Sequence, residues 1–392
     1  MKICSIVIAS LGLGCFTTVV GQSQDAPFAA FKTDVGNSSN QVVNIVALGD
    51  SETSGNGASV PANSWLNKLT AQLQAEFGNG GTGLIPLYDN VAQEAVIGSK
   101  TMYKWVLSGP GWRGGAPDIG PNSPNQHYQK YSLYYGAANH ADVTATLPNI
   151  PNVDAFCIYY VTYRDTGQGI TYSIDGGGQA LLPGSNHITS RLIPAKSCVK
   201  AGGVGTHTLT LSAPAAGEMF LFGAEGTHGT TGVRVHNLAY AGSDAYFVGH
   251  DTESQLAPLI GLIGNISLVI NAYGGENDWQ QSPEYNRVTY ATYLQNSISF
   301  FQQLYPLPSI LLIGETNDEH GAYDMNGFGT QAVYQDAQEE VWYANPSVAF
   351  FSFANLLGSW ATANAHGYMY DHVHPNDAGQ ALIANRLYFF IF

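Results

Sequence analysis

The chain has 392 residues, long for one domain and comfortable for two. Apolar residues make up 45%, enough for a core, while charged residues make up only 11% and Gly (45) and Tyr (23) run high, a texture that points to an extracellular, β-rich and loop-rich protein. The formal net charge of −15 argues against nucleic acid or an anionic membrane as partner, because both need clustered Lys and Arg.

The first 21 residues read as a secretory signal. Lys2 supplies the positive start, Ile3–Val20 the apolar run, and Val19-Val20-Gly21 a small-residue cleavage site before Gln22. The expected location is therefore secreted, either extracellular or periplasmic. No later run is long and apolar enough to span a bilayer, which takes about 20 residues. Of the four cysteines, Cys4 and Cys15 fall in the signal, leaving Cys157 and Cys198. In an oxidising compartment these two fit either a disulfide or a pair of buried thiols. Their spacing, without matching histidines, is not that of a metal site.

Residues 22–41 are polar and Ser/Asn-rich, and are expected to form a flexible leader. Val42 to Leu48 is a short apolar run ending in Gly49-Asp50-Ser51, as a buried parallel strand would deliver a serine to its carboxyl end. Trp65, Leu66, Leu69, Leu73 and Phe77 then recur at helical spacing, which predicts a helix over Ala62–Phe77. From Gly78 to about Gly232 helical periodicity vanishes. Short β-type runs lie between turn signals: Val143–Leu147, Ala155–Tyr163, Ile170–Ile174, His187–Ile193, His207–Leu211 and Glu218–Gly223. They predict an inserted β-sandwich over residues 81–232. Its tyrosines Tyr159, Tyr160, Tyr163 and Tyr172 fit core positions better than a sugar-stacking surface. Trp112 and Arg113, in a Gly-rich loop, are candidates for the rim of a substrate cleft.

Strand and helix patterns then alternate. Val233–Leu238, Ile266–Asn271, Ser309–Ile313 and Val348–Phe353 read as strands. Gly249–Leu262 (kinked at Pro258), Pro283–Leu304, Thr330–Tyr343 and Asn376–Phe392 read as helices. The fold class is α/β, a doubly wound parallel sheet over residues 42–80 and 233–392, interrupted by the β-rich insert.

Ester hydrolysis needs a nucleophile, a base, a group that orients the base, and donors for the oxyanion. Ser51 is the nucleophile candidate. Asp371 and His374 stand three residues apart in one loop, so Asp371 can accept from one ring nitrogen while the other faces Ser51. His372 is the rival base, but one residue from Asp371 its ring is expected to point elsewhere. Ser51 N–H, a glycine N–H at Gly242 and the amide of Asn277 are the oxyanion donors. Asn317, Asp318 and Glu319 follow a strand and are further candidates for the cleft.

Together, Gly49-Asp50-Ser51, Asn237…Gly242, Gly275-Glu276-Asn277-Asp278 and Asp371-His372-Val373-His374-Pro375 resemble the four sequence blocks of the SGNH, or GDSL-type, hydrolases. The resemblance covers about half the chain, and His374–Leu387 is its most family-like piece. It implies a flavodoxin-like three-layer α/β/α fold. It implies Ser51, Asp371 and His374 as catalytic residues and Ser51, Gly242 and Asn277 as the oxyanion hole, with no cofactor and no metal. Ala239 stands where the second block often has Gly, so Gly136 and Gly115 rival Gly242. The chain has no G-x-S-x-G elbow, unlike the ordinary α/β-hydrolases. The long insert is similar to those of carbohydrate esterases. The implied function is a secreted serine esterase, an acetylesterase acting on an acylated carbohydrate. The alternatives are a lipid-directed esterase or lysophospholipase, and a non-catalytic carbohydrate-binding surface protein on the same fold.

Overall fold

A computed structural model describes residues 25–87, 102–109, 112–114, 135–138, 142–162, 169–186, 193–214, 218–250, 256–279, 286–324, 327 and 329–392. The expected signal, residues 22–24 of the leader, Gly115 and Tyr163 lie outside these residues.

The strands in chain order are β1 (Val42–Gly49), β2 (Gly81–Pro86), β3 (Val106–Ser108), β4 (Trp112–Gly114), β5 (Tyr135–Ala138), β6 (Thr144–Thr162) and β7 (Thr171–Ile174). They continue with β8 (Ala180–Leu181), β9 (Ile193–Ser212), β10 (Glu218–Thr227), β11 (Gly232–Asn237), β12 (Ile266–Ala272), β13 (Ser309–Gly314) and β14 (Val348–Ser352). Five of them pair in parallel in the order β11-β1-β12-β13-β14. Taken by rank along the chain this is the flavodoxin-like order, whose switch point lies between β1 and β12.

Alternation sorts the side chains of β1. Val43, Ile45 and Ala47 join one hydrophobic cluster with Trp65, Leu69 and Leu73 of the helix Trp65–Phe77 and Ile383 and Leu387 of the helix Asp377–Ile391. Val46 and Leu48 join the other, with Tyr290, Leu294 and Ile298 of the helix Arg287–Phe301 and Tyr334 and Ala337 of the helix Gln331–Ala344. Helices on both faces make three layers. Pro258 opens the helix Ala257–Ile263 within its first turn instead of kinking a longer one, since proline lacks an N–H but fits helix starts.

The leader needs correction. Asp25–Gly36 is a helix, with Phe28, Phe31 and Val35 buried in the first cluster. Phe31 N–H donates to Ser309 Oγ at 3.4 Å, and the Phe28 and Phe31 rings meet Phe390 and Phe392. Three large apolar residues at helical spacing suffice to dock a segment otherwise made of small and polar residues.

The insert's strands form one antiparallel sheet of nine strands among the described residues. Sequence patterning splits β6 and β9 into short strands at turn residues. The backbone instead runs through, absorbing them as irregularities between Leu147 and Ala155, where Asn149 and Asn152 take positive φ. Cys157 and Cys198 face each other across β6 and β9 and form a disulfide. Tyr159 and Tyr160 are buried.

The two sheets meet at a buried ionic cluster. Glu225 of β10 lies 2.8 Å from Lys196 Nζ, 3.7 Å from Arg234 Nη1 and 3.8 Å from His236 Nδ1. Burial would raise the Glu225 carboxyl, but the charges of Lys196 and Arg234 help hold it below the usual range. Leu84 N–H of β2 donates to His236 Nδ1 (3.0 Å), and His236 Nε2 pairs with Asn44 Oδ1 of β1 (3.2 Å). One neutral imidazole thereby stitches β2, β11 and β1.

Candidate active site

Ser51 opens the turn after β1. Asp50 caps this short turn through Oδ1, which accepts from Glu52 N–H at 2.9 Å. Gly49 is required there, because a Cβ would lie 2.4 Å from Thr53 Oγ1 and 2.8 Å from the Ala272 carbonyl.

His374 Nε2 stands 2.8 Å from Ser51 Oγ, and His374 Nδ1 stands 2.8 Å from Asp371 Oδ2. The other Asp371 oxygen accepts from the N–H groups of Val373 (2.9 Å) and His374 (2.7 Å). Burial would raise the Asp371 carboxyl, but the His374 ring and these two N–H groups outweigh it and hold the carboxyl well below the usual range. Asp371 is thus a charged acceptor that keeps the proton on Nδ1, leaving Nε2 free to accept from Ser51.

Three ties hold this loop, the first two of them to the serine turn. Gln380 donates to the carbonyls of Asn56 (3.0 Å) and Pro375 (3.2 Å) while accepting from Trp65 N–H (2.8 Å). Thr316 contacts the Glu52 carboxyl and, at 2.7 Å, the Val373 carbonyl. Glu319 N–H donates to the His372 carbonyl at 2.8 Å.

The oxyanion candidates sit beside Ser51. Asn277, after β12, donates through Nδ2 to Asp50 Oδ2 at 2.7 Å. The turn that bears Gly242 is pinned to the Gly49 carbonyl by Tyr240 N–H (2.9 Å) and Ser243 Oγ (2.8 Å). Gly242 has φ 83°, and nothing among the described residues lies within 4 Å of where a Cβ would be. Asp278 joins the two loops by accepting from Ala245 N–H and Gly274 N–H, both at 2.8 Å.

The remaining candidates divide. His372 points away from Ser51, toward Asp318 (3.9 Å) and the His320 ring. Asn317 is held by the Gly358 carbonyl and Gln335, and Asp318 is buried. Gly136 lies in β5 of the insert. The backbone of Trp112 and Arg113 forms β4, and their side chains lie outside the described residues. No group of three or more His, Cys, Asp or Glu among the described residues is placed to hold a metal ion, and no helix there is long and apolar enough to cross a membrane.

Sequence reasoning missed four buried acids around the serine: Asp50, Glu52, Asp278 and Glu315. Burial raises each of them above its ordinary range. Their motif neighbours hinted at Asp50 and Asp278. Glu315 had no signal beyond its place after a strand.

No protein-family model and no curated protein matches this chain. A solved peptidoglycan O-acetylesterase has a similar structure, with TM-score 0.61 and 17% identity over 94% of this chain and 96% of that one. The fold is that of an SGNH-type hydrolase. A family two carbohydrate esterase from Clostridium thermocellum, solved with cellohexaose, is also similar, with 15% identity over 72% of this chain and 97% of that one. Its TM-score of 0.30 is too low to add to the argument.

Proposed function

We propose that this SGNH-fold chain is a secreted serine esterase that removes acyl groups, acetyl above all, from a carbohydrate polymer. The observation that supports it best is the unbroken line Ser51–His374–Asp371, with two contacts of 2.8 Å. In this reading His374 Nε2 takes the Ser51 proton as Oγ attacks the ester carbonyl. Asp371 stabilises the imidazolium that forms. The oxyanion lies against Ser51 N–H, Gly242 N–H and the Asn277 amide, donors fixed before the reaction begins. Collapse expels the sugar hydroxyl, which takes the proton from His374. Water, deprotonated by the same ring, then resolves the acyl-serine. The carbohydrate substrate rests on the resemblance of the motifs and insert, together with a neighbour that is a peptidoglycan O-acetylesterase.

The test has two arms. Wild type should release p-nitrophenol from p-nitrophenyl acetate, and Ser51→Ala should not. Equal rates for both, or none for either, would sink the esterase reading. Acetate release from acetylated peptidoglycan, xylan and pectin, set against lysophospholipid turnover, tests the substrate class; preference for the lipid would overturn it.

A further inference from the structure

The acids behind Ser51 can be assigned protonation states by counting hydrogens. Asp50 Oδ1 accepts from Glu52 N–H and Asp50 Oδ2 from Asn277 Nδ2, so both oxygens already serve N–H donors. The Glu315 carboxyl is also in hydrogen-bond contact with Asp50. Glu315 Oε2 accepts from Gly275 N–H at 2.8 Å, whereas among the described residues no N–H or hydroxyl donates to Glu315 Oε1. Two carboxyls in contact need one proton between them, and Glu315 Oε1 is the oxygen with room for it. Gly275 permits this seat, because a Cβ would lie 2.3 Å from Glu315 Oε2.

The same count applies on the other side of the serine turn. The Thr316 hydroxyl has one proton and meets two acceptors, the Val373 carbonyl and the Glu52 carboxyl, which also accepts from Thr316 N–H at 3.2 Å. The Val373 carbonyl has no proton to give. Both contacts are satisfied if Thr316 donates to Val373 and Glu52 carries a proton for Thr316.

We propose that Glu315 and Glu52 are neutral carboxylic acids that act as positioning residues flanking one charged Asp50. Glu315 fixes Asp50, and Asp50 holds one N–H of Asn277 so that the other faces the oxyanion. Glu52 fixes, through Thr316, the carbonyl of Val373, the residue before His374. Burial disfavours the charged form of both acids, and the charge on Asp50 adds to it. Asp278 and Tyr290 also face Glu315, and Asp371 faces Glu52. His374, when protonated, is a cation that favours the charged form of Asp50.

This inference rests on the esterase reading for its kinetics but not for its protonation states. The experiment compares full-length wild type, Glu315→Gln, Glu315→Ala and Glu52→Gln. Infrared spectra at neutral pH should show stretches of buried protonated carboxyls, one lost in E315Q and another in E52Q. A glutamine can donate to Asp50 and accept from Gly275 N–H as the neutral acid does. Glu315→Ala should lose kcat by about 100-fold with KM little changed, the scale of a misplaced reacting group. Glu315→Gln should recover most of that loss, and should lack the alkaline decline that ionisation of Glu315 causes in wild type. Absence of the bands, E315Q as impaired as E315A, or wild-type kcat in E315A would each overturn the proposal. An inactive wild type that shows the bands would sink the esterase reading and uphold the protonation states.

Discussion

Gly57 stands directly against His374. A Cβ built on Gly57 would lie 2.9 Å from His374 Cβ and 2.3 Å from the Pro375 carbonyl oxygen. Gly57 also has φ 84°, a conformation that side chains disfavour. His374 therefore reaches Ser51 because a glycine six residues beyond the serine leaves space for its loop. Gly57→Ala should push His374 outward. The expected result is a fall in kcat of about 100-fold with KM nearly unchanged. Steady-state kinetics on a short acyl ester would check this, and unchanged kcat would refute it.

Asn277 offers a second kinetic prediction. Its amide is tethered to Asp50 at 2.7 Å and is not free to swing away. Asn277→Ala should lower kcat by about 100- to 1,000-fold, roughly 3–4 kcal/mol of transition-state stabilisation. Asn277→Asp should be no better, because it replaces a donor with a carboxylate facing Asp50. Comparable loss in both variants, with folding verified by circular dichroism, is the expected outcome.

His236 makes stability depend on pH. Burial pushes its pKa down to about 4, against the upward pull of Glu225. The unfolded chain binds this proton below about pH 6.5, while the folded chain stays neutral until about pH 4. The contribution is thus present above pH 6.5 and is lost as pH falls from there to about 4; it amounts to about 3 kcal/mol. Urea unfolding across that range should show the decline, and His236→Gln should flatten it.

The N-terminal helix should matter for stability, not for chemistry. Phe31 is fully buried against Phe392 and the sheet. Phe31→Ala should destabilise by about 3–5 kcal/mol. Thermal unfolding would check this, with kcat of the folded fraction unaltered.

Much of the parallel sheet was legible because most of its strands are largely apolar runs, as burial on both faces demands, while β11 alternates Val233 and Val235 with Arg234 and His236. The helix after Ser51 and the one after His374 were legible from their period. The leader was misread because Phe28, Phe31 and Val35 are its only large apolar residues, and their docking depends on a surface built by β13 and the last helix. The course of β6 was misread because Pro148, Asn149, Pro151 and Asn152 are turn formers locally. Pairing along β9 overrides that preference.

Sequence alone determined which residues could do the chemistry. Ser51, Asn277, Asp371 and His374 stand out because each sits at a turn next to an apolar run, with the functional groups that acyl transfer needs. Only the tertiary structure decided how they act together. The 2.8 Å contact of Ser51 with His374 spans 323 positions, and no local pattern encodes a distance of that kind. It arises where strand ends converge at the switch point, where Gly57 admits the loop and Gln380 pins it. The protonation of Glu52 and Glu315 was likewise decided there. A glutamate in a sequence is charged by default, and only burial beside Asp50 makes the neutral form the stable one.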